Sequence, residues 1–372
     1  MDTLYYTARI RRATPVAAVA LAVALFFLFY VLPSPAHAAT GATGTAVCEP
    51  DPRTGQYVCD ARPQPQLFGQ PDRPGYSLYR QTTYAWLDDG APLYDKPGGE
   101  VAREATEGFL YYTLEESTTG PDGGTWYRVD DWYDGKPLYA RAENMHRWGH
   151  SVATGITVHS LPERPFGWIV NGVRPSAAPA AEATDDAPYL TRYTFIQIYD
   201  YATDAEGWIW YDIGGGMWIK QIYVALADYS QRPPEIGEDE YWVEVDLFEQ
   251  TFAAYEGDNM VYAGLVSSGL DRWPTNRGLF TVYARHLEWP MAGGDVGDDY
   301  YLLQDVPYTM FFDGDIALHG AYWHDNFGYK RSHGCVNMTP YDAEWVYNWS
   351  ENAPGPLWVW VHATEGGLTP SS

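Results

Sequence analysis

Cysteine is scarce in this 372-residue chain, which holds three, Cys48, Cys59 and Cys335. Positive charge is scarce too: 23 Lys and Arg stand against 49 Asp and Glu, for a net charge of −26. A surface that acidic repels phosphate backbones, which excludes nucleic acid as a partner. The mean hydropathy of −0.35 excludes a chain that crosses a membrane many times. No common zinc-ligand spacing and no Ca²⁺-loop pattern occurs, so neither a metal nor a cofactor is expected. Aromatics, by contrast, make up 16% of the chain, with 31 Tyr and 16 Trp beside 36 Gly and 27 Pro. That mixture points to β-rich domains with many turns. At roughly 100–200 residues per domain, the length allows about two to four of them.

The first segment reads as an address. Arg9, Arg11 and Arg12 precede an uncharged, mostly apolar run from Ala13 to Leu32, then Pro33, Pro35 and the small-residue triplet Ala36-His37-Ala38. Residues 1–38 are thus a secretory signal peptide cut after Ala38, or an uncleaved anchor, since the run approaches the ~20 residues that span a bilayer. Both readings place the rest of the chain outside the cytoplasm, with membrane contact only through this segment if it is uncleaved. Cys48 and Cys59 flank a Pro- and Gly-containing stretch and are expected to pair as a structural disulfide in an oxidising compartment. Cys335 is then unpaired, and reactivity is the leading reason to keep such a thiol.

Residues 39–82 are rich in Pro, Gly, Gln and Asp without periodicity, and read as a linker with a small disulfide loop. From Thr83 short β-prone runs alternate with Asp-Gly and Gly-Gly turns. Trp126-Tyr127-Arg128-Val129, a turn and Leu138-Tyr139 are echoed by Trp210-Tyr211-Asp212-Ile213, Gly214 to Gly216 and Trp218-Ile219. The echo implies two copies of one module, at 83–148 and 149–230. The second contains an insert, Pro175 to Pro188, expected to be a flexible loop. Both modules resemble bacterial SH3-like barrels. Their aromatics, such as Trp126, Trp132, Trp208 and Trp218, read as core, with a platform for sugar rings or peptide as the alternative.

A third, mostly β domain is expected over 237–363, with 364–372 as a tail. In Tyr241 to Leu247, Tyr241, Val243, Val245 and Leu247 alternate with Trp242, Glu244 and Asp246, so one buried face is predicted. Gly257-Asp258-Asn259 predicts a hairpin between Phe252–Tyr255 and Val261–Val266. Tyr300–Leu303, Thr309–Phe312 and Ile316–Leu318 continue the strand pattern. One helix is predicted, capped by Thr339 with Pro340 and Asp342 in its first turn, running to about Ser350.

The densest reactive cluster is Ile316-Ala317-Leu318-His319-Gly320 followed by Ser332-His333-Gly334-Cys335-Val336-Asn337. A thiol with an ordinary pKa near ~8.5 is mostly protonated at neutral pH, and a neighbouring imidazole can take its proton. Glycines permit a tight path in which amides near Cys335 point into one pocket. Zinc is the rival use of His319, His324, His333 and Cys335, but acyl transfer explains His-Gly-Cys better and leaves His324 as a loop residue. His146, His150, His159 and His286 read as structural or exposed. A buried, inert thiol in a wall-binding protein is the bland alternative.

His319-Gly320 and Ser332-His333-Gly334-Cys335-Val336-Asn337 resemble the L,D-transpeptidase catalytic domain, the YkuD-like family, over about 240–363. The opening strand with Glu249-Gln250 and the turn Pro274-Thr275-Asn276-Arg277-Gly278 resemble it too. The resemblance implies Cys335 as nucleophile and His319 as general base and acid, oriented by the Gly320 carbonyl. It implies backbone amides of His333, Gly334 and Cys335 as an oxyanion hole, with Ser332 and Asn337 supporting the loop. The implied partners are peptidoglycan stem peptides, and the implied place is the cell wall. Cys335 would release the terminal D-Ala of one stem and pass the acyl group to the side-chain amine of another, giving a 3→3 cross-link. With water as acceptor the enzyme would be an L,D-carboxypeptidase. Carbapenem-type β-lactams would acylate Cys335. In the loop Ala321 to Arg331, Tyr322, Trp323 and Phe327 are candidates to pack against a stem. Lys330 and Arg331 are candidates to pair with its carboxylate, with loop packing and solvated charge as the alternatives.

Overall fold

Short aromatic and β-branched runs, cut by Gly and Asp turns, form strands almost throughout this computed structural model. It describes residues 47–50, 57–60, 68–69 and 83–364, apart from 106–107, 132–134, 148–150, 152, 161, 163 and 296–298. The N-terminal address, most of the linker, Trp132 and the tail beyond Thr364 lie outside the described residues.

Three short strands come first, β1 (Val47–Pro50), β2 (Tyr57–Asp60) and β3 (Phe68–Gly69). Cys48 stands opposite Cys59 in the antiparallel β1–β2 register; the side chains of both cysteines lie outside the described residues. Next are β4 (Thr83–Leu87), β5 (Pro92–Tyr94), β6 (Val101–Glu104), β7 (Phe109–Leu114), β8 (Ser117–Thr119), β9 (Thr125–Asp130), β10 (Pro137–Arg141) and β11 (Met145–Arg147). Then follow β12 (Ile156–Val158), β13 (Phe166–Ile169), β14 (Phe195–Gln197), β15 (Asp200–Thr203), β16 (Ile209–Asp212), β17 (Trp218–Lys220) and β18 (Val224–Ala227). The two groups share one connectivity. β4 lies between β7 and β11 as β13 lies between β14 and β18, and β8-β9-β10 run in the same order as β15-β16-β17. A single 3₁₀ turn, Ala142–Asn144 or Gln221–Tyr223, precedes the last strand of each. The insert after Pro175 is pinned by bridges from Ser176 to Ala183 and Trp218. Trp126 is buried, and Trp208 and Trp218 are half-buried.

The third region holds β19 (Tyr241–Asp246), β20 (Thr251–Glu256), β21 (Asn259–Ser267), β22 (Gly278–Thr281), β23 (Ala284–Gly293), β24 (Tyr301–Asp313), β25 (Ile316–Gly320), β26 (Val336–Met338), helix α1 (Pro340–Ser350) and β27 (Trp358–His362). One sheet runs β11-β4-β7-β24-β25-β26-β21-β20-β19-β27-β22. β7 pairs parallel with β24, Tyr301 opposite Phe109 and Leu303 opposite Tyr111. The first module is therefore continuous with the sheet that carries the reactive motifs. Helix α1 starts as the sequence predicts: Thr339 Oγ1 accepts from the Asp342 N–H at 3.1 Å. Its Ala343 and Val346 pack with Leu318, Val336 and Met338. Asp342 itself turns inward, 2.7 Å from the Gly155 N–H and 2.7 Å from the Tyr262 hydroxyl.

Two expectations change. β19 is buried on both faces, not one, because β20 and β27 flank it and other elements cover it. Its polar side chains are consequently satisfied from within: Trp242 Nε1 donates to the Gly257 carbonyl at 2.8 Å, and Glu244 Oε1 lies 2.6 Å from His362 Nε2. The longest hairpin, β23–β24, is also missed by alternation. Pro290 and Pro307 interrupt its pattern, and a register shift between Trp289 and Met291 absorbs Pro290.

Candidate active site

β25 and β26 are parallel neighbours, with Leu318 opposite Val336 and His319 opposite Asn337. Side chains alternate along a strand, so Leu318 and Val336 enter the core while His319, Asn337 and Cys335 share the other face. Two residues of rise and one strand spacing put the Cα atoms of His319 and Cys335 about 8 Å apart on the diagonal, within reach of an imidazole. His319 is buried and its Nδ1 lies 3.3 Å from the Gly320 carbonyl. With Nδ1–H donating there, the Nε2 lone pair is left to accept a proton. Gly320 has room for no side chain without movement: a Cβ would meet Pro307 and the Pro340 backbone at 3.0 and 3.1 Å.

Burial pushes His319 down to about 4, the Gly320 bond opposing it. The Cys335 sulfur lies against the start of β25, 3.6 Å from the Asp315 carbonyl. Burial pushes this thiol up to about 11, while the Ala317 amide lowers it and the Asp315 charge raises it. Both shifts favour an uncharged ring and an uncharged thiol. Among the described residues no hydrogen bond joins them.

The turn before Cys335 is braced from two sides. The Ser332 hydroxyl accepts from the Gly334 N–H at 3.1 Å and donates to the Cys335 carbonyl. Gly334 has φ +124°, a region costly for any residue with a Cβ. Its carbonyl accepts from Thr275 Oγ1 at 2.7 Å, and the same hydroxyl accepts from the Gly269 N–H at 2.9 Å. Thr275→Val deletes both bonds at constant shape and should cost about 1–3 kcal/mol. Urea titration checks this; an unchanged midpoint refutes it. His333 is exposed, its ring 3.8 Å from Trp273 and 4.8 Å from Tyr301. The Gly334 amide is spent on Ser332, whereas the N–H groups of His333 and Cys335 meet no acceptor among the described residues.

The loop candidates separate. Tyr322 is buried, stacked at 3.5 Å on Tyr84 of β4, and its hydroxyl donates to the Gln304 carbonyl at 2.6 Å. It anchors the loop to the first module and offers no face to a ligand. Phe327 is likewise wholly buried. Trp323 lies beside the site, 5.6 Å from the His319 ring, and is mostly buried. Lys330 is paired on the surface with Asp271 at 2.8 Å. Arg331 is exposed, and its N–H holds the Ser268 carbonyl at 2.9 Å.

Sequence reasoning passed over three contributors: Thr275 as a brace, Tyr301 beside the thiol, and His324. Tyr301 is pushed up to about 12 by burial, with the Cys335 and Asp315 charges adding to it. His324 is buried, with Nδ1 accepting from the Asn326 N–H at 3.1 Å and Nε2 2.9 Å from the Asn337 amide. No motif marks it, since its burial is created by the fold. Among the described residues, no group of three or more His, Cys, Asp and Glu is arranged to hold a metal ion.

Burial holds His324 well below the usual histidine range, with Arg331, His319 and Arg192 adding to it. An unfolded chain takes up these protons near 6.5, whereas folded His319 waits until about 4. The stability they contribute is present above 6.5 and is lost as pH falls toward 4, about 3 kcal/mol for His319 alone. His362, raised overall by Glu244 against its burial, acts in the opposite sense. His333 is lowered by desolvation as well, and three rings against one predict a urea midpoint lower at pH 5 than at pH 7.5. An equal or higher midpoint at pH 5 would refute buried neutral rings.

Residues 240–361 match the family model of the L,D-transpeptidase catalytic domain, YkuD. A curated relative, the putative L,D-transpeptidase YciB of Bacillus subtilis (strain 168), is 34% identical over 134 residues. That stretch is 32% of this chain and 65% of the relative, so the chain spans just under two thirds of the relative's length. Among solved structures, the catalytic domain of the Enterococcus faecium L,D-transpeptidase is 24% identical, with 34% of this chain and 98% of that one covered and a TM-score of 0.30. The L,D-transpeptidase of Mycobacterium smegmatis is 16% identical, with 70% and 95% covered and a TM-score of 0.31.

Proposed function

We propose, from the match of residues 240–361 to the L,D-transpeptidase catalytic domain, YkuD, that this chain is an exported acyltransferase that joins peptidoglycan stem peptides by 3→3 cross-links through a Cys335 thioester. The observation that carries the reading is the shared face of β25 and β26, where His319, with Nδ1 tied to Gly320, stands one diagonal from Cys335. In the first step the Cys335 thiol gives its proton to His319 Nε2 as sulfur attacks the amide carbon after the position-three diamino acid. The N–H groups of His333 and Cys335 face the developing oxyanion. His319 returns the proton to the departing D-Ala amine, leaving a thioester. An amine of a second stem then attacks, His319 takes its proton, and the thiol is regenerated. The units at 83–148 and 149–230 are SH3-like modules in this reading, supported by their repeated connectivity. No metal or cofactor takes part.

The test is incubation of the purified protein with disaccharide-tetrapeptide stems and mass spectrometry of the products. A cross-linked dimer lacking one D-Ala is expected. Tripeptide monomer alone would replace transfer by hydrolysis, and the absence of any product or covalent adduct would remove the enzymatic reading.

A further inference from the structure

The loop between the two reactive motifs is held by a residue pair outside the catalytic domain. Just before β14 of the second module, one Arg192 guanidinium nitrogen donates to the Asp325 carbonyl and the other to the Phe327 carbonyl at 2.9 Å. The Tyr193 hydroxyl reaches the Asp325 carbonyl at 3.0 Å and its carboxylate at 2.8 Å. Tyr193 has φ +69°, uncommon for a bulky side chain, and its N–H is tied to the Ile169 carbonyl at 2.6 Å. A conformation of this kind persists where the surroundings over-determine it.

The contacts continue inward without a gap. Asp325 and Phe327 bracket Asn326, whose N–H donates to His324 Nδ1 at 3.1 Å. That bond leaves the proton of the neutral ring on Nε2, 2.9 Å from the Asn337 side-chain amide, which must turn its oxygen, not its Nδ2, toward the ring to accept it. Asn337 is the register partner of His319 and lies two residues after Cys335 on the same face. Arg192, Arg331 and His319 are the charged and titratable groups that face His324. All three disfavour a positive charge on His324.

We infer that Arg192 and Tyr193 are positioning residues for the reaction: acting through the Asp325–Phe327 carbonyls and His324, they hold Asn337 and the face on which His319 and Cys335 stand. The second module is thereby part of the active-site scaffold. The inference takes its reaction from the transpeptidase reading, while the contacts stand independently of it.

The test uses the full chain with Tyr193→Phe, which removes one oxygen atom, Arg192→Ala, and Arg192→Lys, which keeps the charge but not both bonds. Three quantities are read: kcat and KM on stems across pH, amide hydrogen exchange over 321–331, and the pH dependence of Cys335 alkylation. A misplaced pair should lower kcat roughly tenfold or more with KM little changed. Exchange over 321–331 should quicken. The acid limb of the rate profile should move up, as water reaching a loosened His319 relieves its desolvation. Arg192→Lys should fall between wild type and Arg192→Ala. If Arg192→Ala does not fold, Tyr193→Phe decides alone. Wild-type kcat, acid limb and loop exchange in Tyr193→Phe would overturn the inference while leaving the transpeptidase reading intact. If wild type turns over no stems, the reading fails, and loop exchange with Cys335 alkylation still decides the positioning role.

Discussion

Cys335→Ala should take up no acyl group from a stem or a carbapenem-type β-lactam, where wild type gains one adduct by intact mass. The loss is expected to be complete because no other described thiol is free. The fold should survive: the side chain is small and partly exposed, and its sulfur lies against the start of β25. A wild-type unfolding midpoint with no adduct is therefore the expected pair of results. Full activity in the variant would sink the mechanism. An uncharged thiol sharpens this. A thiol pushed up to about 11 leaves little thiolate at pH 7. Wild-type alkylation by iodoacetamide should rise about tenfold per pH unit from pH 6 to 9. A plateau already reached near pH 6 would mean a preformed thiolate–imidazolium pair and would contradict the geometry.

His319→Gln should slow acylation by stems about 10²–10⁴-fold, the usual worth of a positioned general base. Glutamine approximates the size of the ring and can still bond the Gly320 carbonyl, but it has no nitrogen that takes a proton. If the two groups are neutral at rest, alkylation of Cys335 at pH 9 should change little in this variant. A preformed pair would behave differently, since losing the imidazolium would raise the thiol and slow alkylation as well. Stem acylation within threefold of wild type would assign the base elsewhere, with His324 the nearest alternative. A double substitution at both histidines would then separate them.

The reactive residues were legible because their chemistry is local. A thiol after Ser-His-Gly, a His-Gly at a strand end and a Thr-Pro helix start are each written within a few positions. The hairpin at Gly257–Asp258 is equally local. What failed involved partners distant in sequence. Tyr322 read as a ligand contact because it sits beside His319, yet Tyr84 packs on it from 238 positions away in the chain. Lys330 read as a candidate to pair with a stem carboxylate or as a solvated charge, and Asp271 crosses to pair with it. His324 looked like a loop histidine, and the fold buries it beside Trp323, Phe327 and Asn337.

The amino-acid sequence by itself determined the candidate nucleophile and base, the turn glycines and the capped helix, since each rests on backbone freedom or side-chain chemistry within about one turn of chain. The tertiary structure alone decided which of these meet. β7 adds to β24, Gln304 Oε1 accepts from the Thr113 N–H at 2.9 Å across 191 positions, and both N-terminal modules close on one loop. Strand pairing of that range is set by which faces can be buried and which backbone groups satisfied together, and short segments carry no record of it.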